Sequence, residues 1–381
     1  MSAFGEKPDT PVCAIDDMPL PGEAERLATQ FTSWYPILSE FTMKSRTIVL
    51  SDAFLEYLKE DGIMLPKSAQ GALGHDQLSD DEDEGLREAG GGRRHGTHAS
   101  GDDADNDDED DEAAPAVHDF PELDAQISQA LADLGGTVFP KLNWSCPLDA
   151  AWMNAGSLKC YSLADVYVLL KASDRVMWDV ECMLQGTGRD KNRPDCVTLV
   201  LRKWANLLPS MEFRVFVQHN SIVGMCQRDC STFYDFLAQE SETEAIAELL
   251  EAFCRANLLL RLPLESFAAD LFVDKKKRVW VVDVNVFGPP TSALLFDWPE
   301  LCVDAAAGGR GCPSSTAPDC GAPPLYEFRV VQSSAGVLPS EAAQSKGPID
   351  VTLAPDFHRF MEICKAQRRE GEGGGGGGGN A

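Results

Sequence analysis

The fold is decided by two apolar runs on either side of a short basic segment: Phe267-Ala268-Ala269-Asp270-Leu271-Phe272-Val273, and Val279-Trp280-Val281-Val282-Asp283-Val284-Asn285-Val286-Phe287-Gly288. Such runs, rich in Val and Phe, predict a β-hairpin. If Lys275-Lys276-Lys277-Arg278 form the loop, pairing of Asp274 with Val279 places Asp270 directly opposite Asp283. Asn285 then shares a face with Asp283, because strand side chains alternate between the two faces of a sheet.

Two carboxylates that face each other across a hairpin need an explanation. Opposed residues have Cβ atoms about 5 Å apart, and like charges so placed destabilise a sheet. A surface ribbon with solvated acids is one interpretation, but both strands are too apolar for a ribbon that is wet on both faces. The other is a divalent cation between the acids. Oxygen ligands without a neighbouring His or Cys suit Mg²⁺, which often shares its ligand shell with phosphates. The hairpin therefore predicts a Mg²⁺ site at Asp270, Asp283 and Asn285, and with it ATP or GTP.

Length and composition limit the possible classes of protein. The 381 residues are 44% hydrophobic, enough to fill the core of one elaborated α/β domain or of two domains. There is no apolar run of about 18 residues, and the N-terminus lacks a basic start followed by an apolar core. We therefore expect a soluble, non-secreted, cytoplasmic protein. The twelve cysteines include no Cys-x-x-Cys pair, and no histidine lies near Cys226 and Cys230 to complete a zinc site. Buried thiols in a reducing compartment are therefore expected.

The net charge of −28 is unevenly distributed. Residues 79 to 112 contain 15 acids against three arginines and almost no apolar residues, a composition that predicts disorder. This stretch is interpreted as a solubilising insert, with a docking strip for a basic partner as the alternative. The acidic balance argues against direct nucleic-acid binding and against anionic membranes, both of which need a basic footprint. Nothing indicates a coiled coil, and a monomer is expected.

The elements predict a mixed fold of α-helices and antiparallel β-strands, an α/β (α+β) class without the βαβ series of a dinucleotide-binding sheet. Helices are predicted over residues 23–31, 53–59, 123–134 and 163–170, and strands over 46–50, 198–204, 212–217 and 221–226. The predicted organisation is an N-terminal lobe (1–75), a disordered acidic insert (76–118), a core (119–301), a low-complexity insert (302–324), a C-terminal extension (325–365) and a Gly-rich tail (366–381).

Five basic residues recur within or beside apolar strands: Lys141, Arg202, Lys203, Arg214 and Arg228. Any one of them alone is readily explained as a snorkelling side chain or a salt-bridge partner. Together with the acidic hairpin they form a set, with cations for phosphates and carboxylates for the metal. The chain has neither a Gly-x-x-x-x-Gly-Lys-Ser/Thr loop nor a Gly-x-Gly-x-x-Gly stretch. The sequence therefore predicts a nucleotide site built from separated strands.

Five segments resemble, in order, the signature segments of the cell division cycle protein 123 family: residues 139–145, 199–204, 212–217, 227–229 and 283–288. The resemblance runs from Trp34 to Leu301, with a weaker coda at residues 327–331. It implies an ATP-grasp fold that binds ATP with Mg²⁺ in a cleft between two lobes. It also implies an assembly chaperone for eukaryotic initiation factor 2, acting on the gamma subunit so that the alpha and beta subunits can join.

The resemblance also implies roles for individual residues. Lys141 and Arg214 would hold phosphates, Leu201, Arg202, Lys203 and Trp204 would line the adenine hinge, Asn143 and Arg228 would neighbour the nucleotide, and Asp270, Asp283 and Asn285 would hold the metal. The chain departs from the family pattern at Val197-Thr198, where a Glu is usual, and in the turn at residues 288–292. No catalytic residue is implied. Two alternatives remain: a ligase that forms an acyl phosphate stabilised by Arg214 or Arg228, and a nucleotide-free scaffold.

Overall fold

A computed structural model describes residues 21–70, 118–183, 196–302 and 326–337. The predictions for the acidic segment at 79–112, the low-complexity insert and the Gly-rich tail fall outside these ranges. The described helices are α1 (Glu23–Thr29), α2 (Phe31–Leu38), α3 (Asp52–Lys59), α4 (Lys67–Gln70), α5 (Pro121–Leu134), α6 (Leu163–Lys171), α7 (Asp174–Trp178), α8 (Glu240–Phe253), α9 (Leu259–Arg261) and α10 (Trp298–Leu301). The strands are β1 (Ser45–Val49), β2 (Val138–Lys141), β3 (Thr198–Lys203), β4 (Glu212–Gln218), β5 (Ser221–Gln227), β6 (Phe267–Val273), β7 (Val279–Asn285) and β8 (Glu327–Arg329).

The strands form two sheets. The smaller has the order β1-β3-β2 and is antiparallel throughout, so a strand from the predicted N-terminal lobe pairs with strands of the predicted core. The larger has the order β7-β6-β4-β5-β8. Its first four strands are antiparallel, as predicted, but β8 lies parallel to β5. The mixed α/β class is therefore confirmed, with one parallel strand that the sequence pattern did not indicate.

Helix boundaries follow from local chemistry. The Ser51 Oγ accepts a hydrogen bond from the Phe54 N–H at the start of α3, and Ser162 does the same for Asp165 in α6. Helix α5 is followed by Gly135, whose φ of +91° is unfavourable for residues with a Cβ. The four predicted helices are present, although the pattern at residues 23–31 is divided between α1 and α2. Helix α8 was not predicted.

The tight turn between β4 and β5 explains the predicted hairpin. His219 and Asn220 both have positive φ, at 49° and 58°, the conformation that matches the twist of the flanking strands. The Asn220 N–H also donates to the Glu265 carbonyl at 2.7 Å, which fastens the turn to the segment before β6. The turn end of the hairpin is therefore held in place.

Three apolar clusters hold these elements together. One joins the smaller sheet to α3, α5 and α6, and a second lies between one face of the larger sheet and α2 and α8. Phe31 and Trp34 are fully buried in the second cluster, so these aromatic residues belong to the core. The third cluster covers part of the opposite face of the larger sheet, where Phe296, Trp298 and Leu301 pack on Phe216.

Two further observations concern the chain as a whole. None of the helices in the four described ranges combines the length and apolar composition that a bilayer crossing requires. No disulfide is formed by the cysteines whose side chains the structure describes, which are Cys146, Cys160, Cys196, Cys226, Cys230, Cys254 and Cys302.

Candidate functional site

The hairpin of β6 and β7 places Asp270 opposite Asp283, as predicted. The register nearer the loop differs from the prediction, because Val273 and not Asp274 pairs with Val279. Asp274 belongs to the loop: its Oδ1 accepts hydrogen bonds from the Lys276 and Arg278 N–H groups at 2.8 and 3.0 Å. An aspartate that caps its own turn in this way favours a loop over a strand. The predicted pairing of Asp274 with Val279 is therefore wrong by one residue.

A β-bulge in β7 restores the predicted pairing of Asp270 with Asp283. Leu271 pairs with Val281 and Asp270 with Asp283, so Val282 has no partner residue in β6. A bulge of this kind inserts one residue into one strand and re-aims the side chains beyond it. It brings the carboxyl group of Asp283 to the face that carries Asp270. Asn285 lies opposite Ala268 on the same face, half-buried.

Asp270 is held by two arginines. Arg214 lies in β4 directly opposite Asp270 and donates from Nε and Nη2 to the two carboxylate oxygens, each at 2.7 Å. The Arg228 Nε lies 3.3 Å from Oδ2 of the same carboxylate. Burial alone would raise the pKa of Asp270, but the two guanidinium groups outweigh it and hold that pKa below its ordinary value. Asp270 is therefore a buried, ionised carboxylate.

Asp283 is held by Lys141 from the other sheet. The ammonium Nζ of Lys141 lies 2.7 and 2.8 Å from the two carboxylate oxygens of Asp283. The Lys141 side chain is only 1% exposed, whereas that of Asp283 is 16% exposed. The ammonium also lies 5.7 Å from the centre of the Phe31 ring. This ion pair links β2 of the smaller sheet to β7 of the larger sheet.

The structure thus brings six of the predicted site residues to one place: Lys141, Arg214, Arg228, Asp270, Asp283 and Asn285. Lys203 and Trp204 lie at the outer end of β3, where Lys203 is exposed and the Trp204 Nε1 donates to the Asn206 Oδ1. The other three lie inside the molecule. Leu201 is fully buried in the first apolar cluster, and Asn143 and Arg202 are each 1% exposed.

Asn143 has a full set of protein partners. Its Nδ2 donates to the Gln30 Oε1 and the Cys196 carbonyl, and its Oδ1 accepts from the Thr198 N–H at 2.7 Å. These bonds connect the end of β2 to the start of β3 and to the residue before α2. The side chain of Asn143 therefore fixes the strand that carries Lys141.

Sequence reasoning missed two acids near the cluster. Glu212 shares its face of β4 with Arg214, a relation that the period of two could have shown. Burial raises the pKa of Glu212 to about 7, although Arg228 opposes that shift. Asp179 is fully buried and accepts hydrogen bonds from the Trp144 and Ser145 N–H groups and from the Ser145 hydroxyl. It holds the turn that follows Lys141, a long-range role that leaves no pattern in the sequence.

The residues present fit a metal that is shared with a phosphate better than a metal held by protein alone. Within the described ranges no group of three or more His, Cys, Asp or Glu side chains is placed to hold a metal ion. The cluster instead offers two carboxylates and one amide, all oxygen donors, beside three cations. Mg²⁺ is commonly bound by one or two carboxylates, with phosphate oxygens and water as its other ligands. The donor set therefore suits Mg²⁺ together with a phosphorylated ligand.

Comparisons with known proteins show which family the chain resembles. The family model D123 matches residues 34–354. A Xenopus tropicalis protein described as translation initiation factor eIF2 assembly protein is 30% identical over 354 residues, covering 90% of this chain and 96% of the relative. A Dictyostelium discoideum protein of the same description is 33% identical, covering 84% and 90%. The solved structure of Cdc123 from Schizosaccharomyces pombe is similar with a TM-score of 0.57 and 27% identity, covering 82% of this chain and 99% of that one.

Proposed function

The chain belongs to the D123 family, and from that premise we propose that it has an ATP-grasp-like fold, binds ATP with Mg²⁺ and assists the assembly of translation initiation factor eIF2. One observation carries the nucleotide part of the proposal. Two carboxylates face each other across a bulged hairpin, and each is neutralised by side-chain cations of the kind that bind phosphates. A purely structural pair of ions would not require two acids at opposed positions.

Each residue of the cluster has a role in this proposal. Asp270, Asp283 and Asn285 would provide oxygen ligands for Mg²⁺, and Lys141, Arg214 and Arg228 would hold phosphate oxygens. Lys203 and Trp204, at the accessible end of β3, would lie beside the base. When bound, Mg²⁺ would neutralise phosphate charge and fix the orientation of the phosphates. Asn143 and Leu201 would stabilise the strands that carry the site without contacting the nucleotide, because their side chains are buried.

The existing ion pairs make ATP and Mg²⁺ interdependent. The cluster holds three cations and two carboxylates, so the ions largely neutralise one another. Mg²⁺ alone would have to approach carboxylates that are already paired, and ATP alone would have to draw cations away from acids that then face each other unpaired. Together they satisfy both sets at once. We therefore expect strong positive coupling between the two ligands.

Calorimetry tests the nucleotide part directly. ATP is titrated into the protein with Mg²⁺ and again with EDTA, using wild type, Asp270→Ala and Asp283→Ala. Asp133→Ala is the matched control, because Asp133 also pairs with an arginine but at the exposed surface. Both cluster variants should weaken Mg-ATP binding at least about tenfold, and the control and a deletion of residues 79–112 should not. Absence of binding by the wild type would refute the site.

The relatives' description supports the assembly part of the proposal. We propose that the subunit recognised is the gamma subunit of eIF2 and that no nucleic acid is contacted directly. The test is capture of purified gamma subunit by wild type and Asp283→Ala, each with and without Mg-ATP. Capture that depends on ATP only in the wild type supports the proposal. Equal capture under every condition would remove ATP from the mechanism, and absence of capture would remove the gamma subunit.

A further inference from the structure

Arg202 is a buried arginine that joins the two sheets. It lies in β3, the central strand of the smaller sheet, opposite Ser45 on one side and Phe139 on the other. Its guanidinium carbon lies 5.2 Å from the ring centre of Phe31, 5.3 Å from that of Phe139 and 5.9 Å from that of Trp34. Arg202 is 1% exposed, and these three rings enclose its guanidinium group.

The two ends of the guanidinium group reach the larger sheet. The Arg202 Nη1 donates to the Val282 carbonyl at 2.5 Å, and Nη2 donates to the Thr42 Oγ1 at 2.8 Å. The Thr42 hydroxyl in turn donates to the Val281 carbonyl at 2.6 Å. Arg202 and Thr42 therefore hold two consecutive carbonyl groups of β7, immediately before Asp283.

Val282 is the residue that the bulge inserts, and it has no partner in β6. A buried carbonyl needs a hydrogen-bond donor, and the inserted residue of a bulge is left outside the regular ladder. Arg202 supplies a donor from the other sheet. The bulge is the feature that sets Asp283 opposite Asp270, so the contact made by Arg202 fixes the direction of the Asp283 carboxyl group.

We propose that Arg202 is a positioning residue for Asp283: it pins the Val282 carbonyl so that the bulge presents the Asp283 carboxylate to the metal, and it does not itself bind nucleotide. This rests on the proposed function for the metal, but the contact with the bulge exists without it. The burial of Arg202 also has a cost, because its Nε is buried without a hydrogen-bond partner among the described residues.

Thr42 provides the sharpest variants. Thr42→Val removes the hydroxyl between Arg202 and Val281 while nearly keeping the volume, and Thr42→Ser keeps the hydroxyl. Arg202→Lys keeps the charge but cannot hold two acceptors in the same fork. Arg202→Met removes both the positive charge and the two hydrogen-bond donors. Arg46→Met is the matched control, because Arg46 lies in the same sheet with an exposed ion pair.

Two measurements on the full chain separate positioning from general stability. The first is the Mg²⁺ concentration needed for half-maximal binding of ATP, with the affinity for ATP in EDTA measured beside it. Thr42→Val and Arg202→Lys should raise the Mg²⁺ requirement about tenfold and leave the EDTA affinity within about twofold, because they misplace a metal ligand and remove no phosphate contact. Thr42→Ser and Arg46→Met should match the wild type.

The second is amide hydrogen exchange without nucleotide or metal. Exchange at residues 282–285 should accelerate in Thr42→Val and Arg202→Lys and remain at the wild-type rate in Thr42→Ser. An unchanged Mg²⁺ requirement in both variants would overturn the proposal, as would an equal loss of affinity in EDTA, which would make Arg202 a nucleotide ligand. If the wild type bound no Mg-ATP, the proposed function would fail, and exchange at the bulge would still decide whether Arg202 holds it.

Discussion

Asp283→Asn should destabilise the nucleotide-free protein more than Lys141→Met does, although both remove the same ion pair. The reason lies in what each change leaves behind. Asp283→Asn leaves an ammonium group that is 1% exposed, whereas Lys141→Met leaves a carboxylate that is 16% exposed and reachable by water. Burying an unpaired charge is costly, and the cost falls as water gains access.

The magnitudes follow from that difference. Removing one partner of a buried ion pair costs about 3 to 5 kcal/mol of unfolding free energy, which applies to the ammonium left by Asp283→Asn. The carboxylate left by Lys141→Met loses two charged hydrogen bonds but can be rehydrated, so about 1.5 to 3 kcal/mol is expected. The double variant leaves no unpaired ion and should be at least as stable as Asp283→Asn alone, because neutral replacements of a buried pair are often tolerated.

Urea unfolding in EDTA, followed by far-ultraviolet circular dichroism, measures the three free energies in one buffer. Asp133→Asn is the control, because its partner Arg46 is exposed and its ion pair should contribute little. The reasoning is refuted if Lys141→Met is the more destabilising single change. It is also refuted if the two changes add, since a coupled pair must deviate from additivity by about 0.5 kcal/mol or more.

Other predictions concern stability and its dependence on pH. Burial raises the pKa of Glu212 from 4.5 to about 7, so the folded state resists ionisation and loses stability as pH rises between those values. Glu212→Gln should therefore gain up to about 3 kcal/mol over the wild type on going from pH 4.5 to pH 8, and a difference independent of pH in urea unfolding would contradict this. Gly224→Ala should cost about 1 to 3 kcal/mol, because its Cβ would lie 2.8 Å from the Leu301 Cδ2, while Gly22→Ala should be nearly neutral. Ser162→Ala should cost about 1 kcal/mol by removing the cap of α6, and a thermal midpoint equal to that of the wild type would show that the cap is dispensable.

The hairpin shows how much of the site could be predicted from the sequence. Alternation of side chains was enough to place Asp283 and Asn285 on one face, and an apolar setting was enough to mark Asp270 as unusual. The bulge was not predictable, because Val282 differs in no way from the valines beside it. Its position depends on a donor from another sheet, Arg202, and that contact spans 80 residues.

Similar limits explain the other differences. Helix α8 did leave a signal, since Ile246 and Leu250 are buried four residues apart on one face of an acidic helix. Strand β8 left little signal in the sequence, because it is three residues long and pairs in parallel with a strand that is distant along the chain. The structure brings three of the five basic residues to the cluster, but sequence alone does not distinguish an arginine that contacts Asp270, such as Arg214, from one enclosed by aromatic rings, such as Arg202.

The ion pair between Lys141 and Asp283 joins the two sheets, and its two residues are 142 positions apart in the sequence. A phosphate that paired with the Lys141 ammonium group would have to weaken this ion pair. If the proposed nucleotide binds in this way, its binding will weaken the connection between the two sheets. A partner protein that contacted both sheets would then respond to binding of the nucleotide without contacting the nucleotide itself.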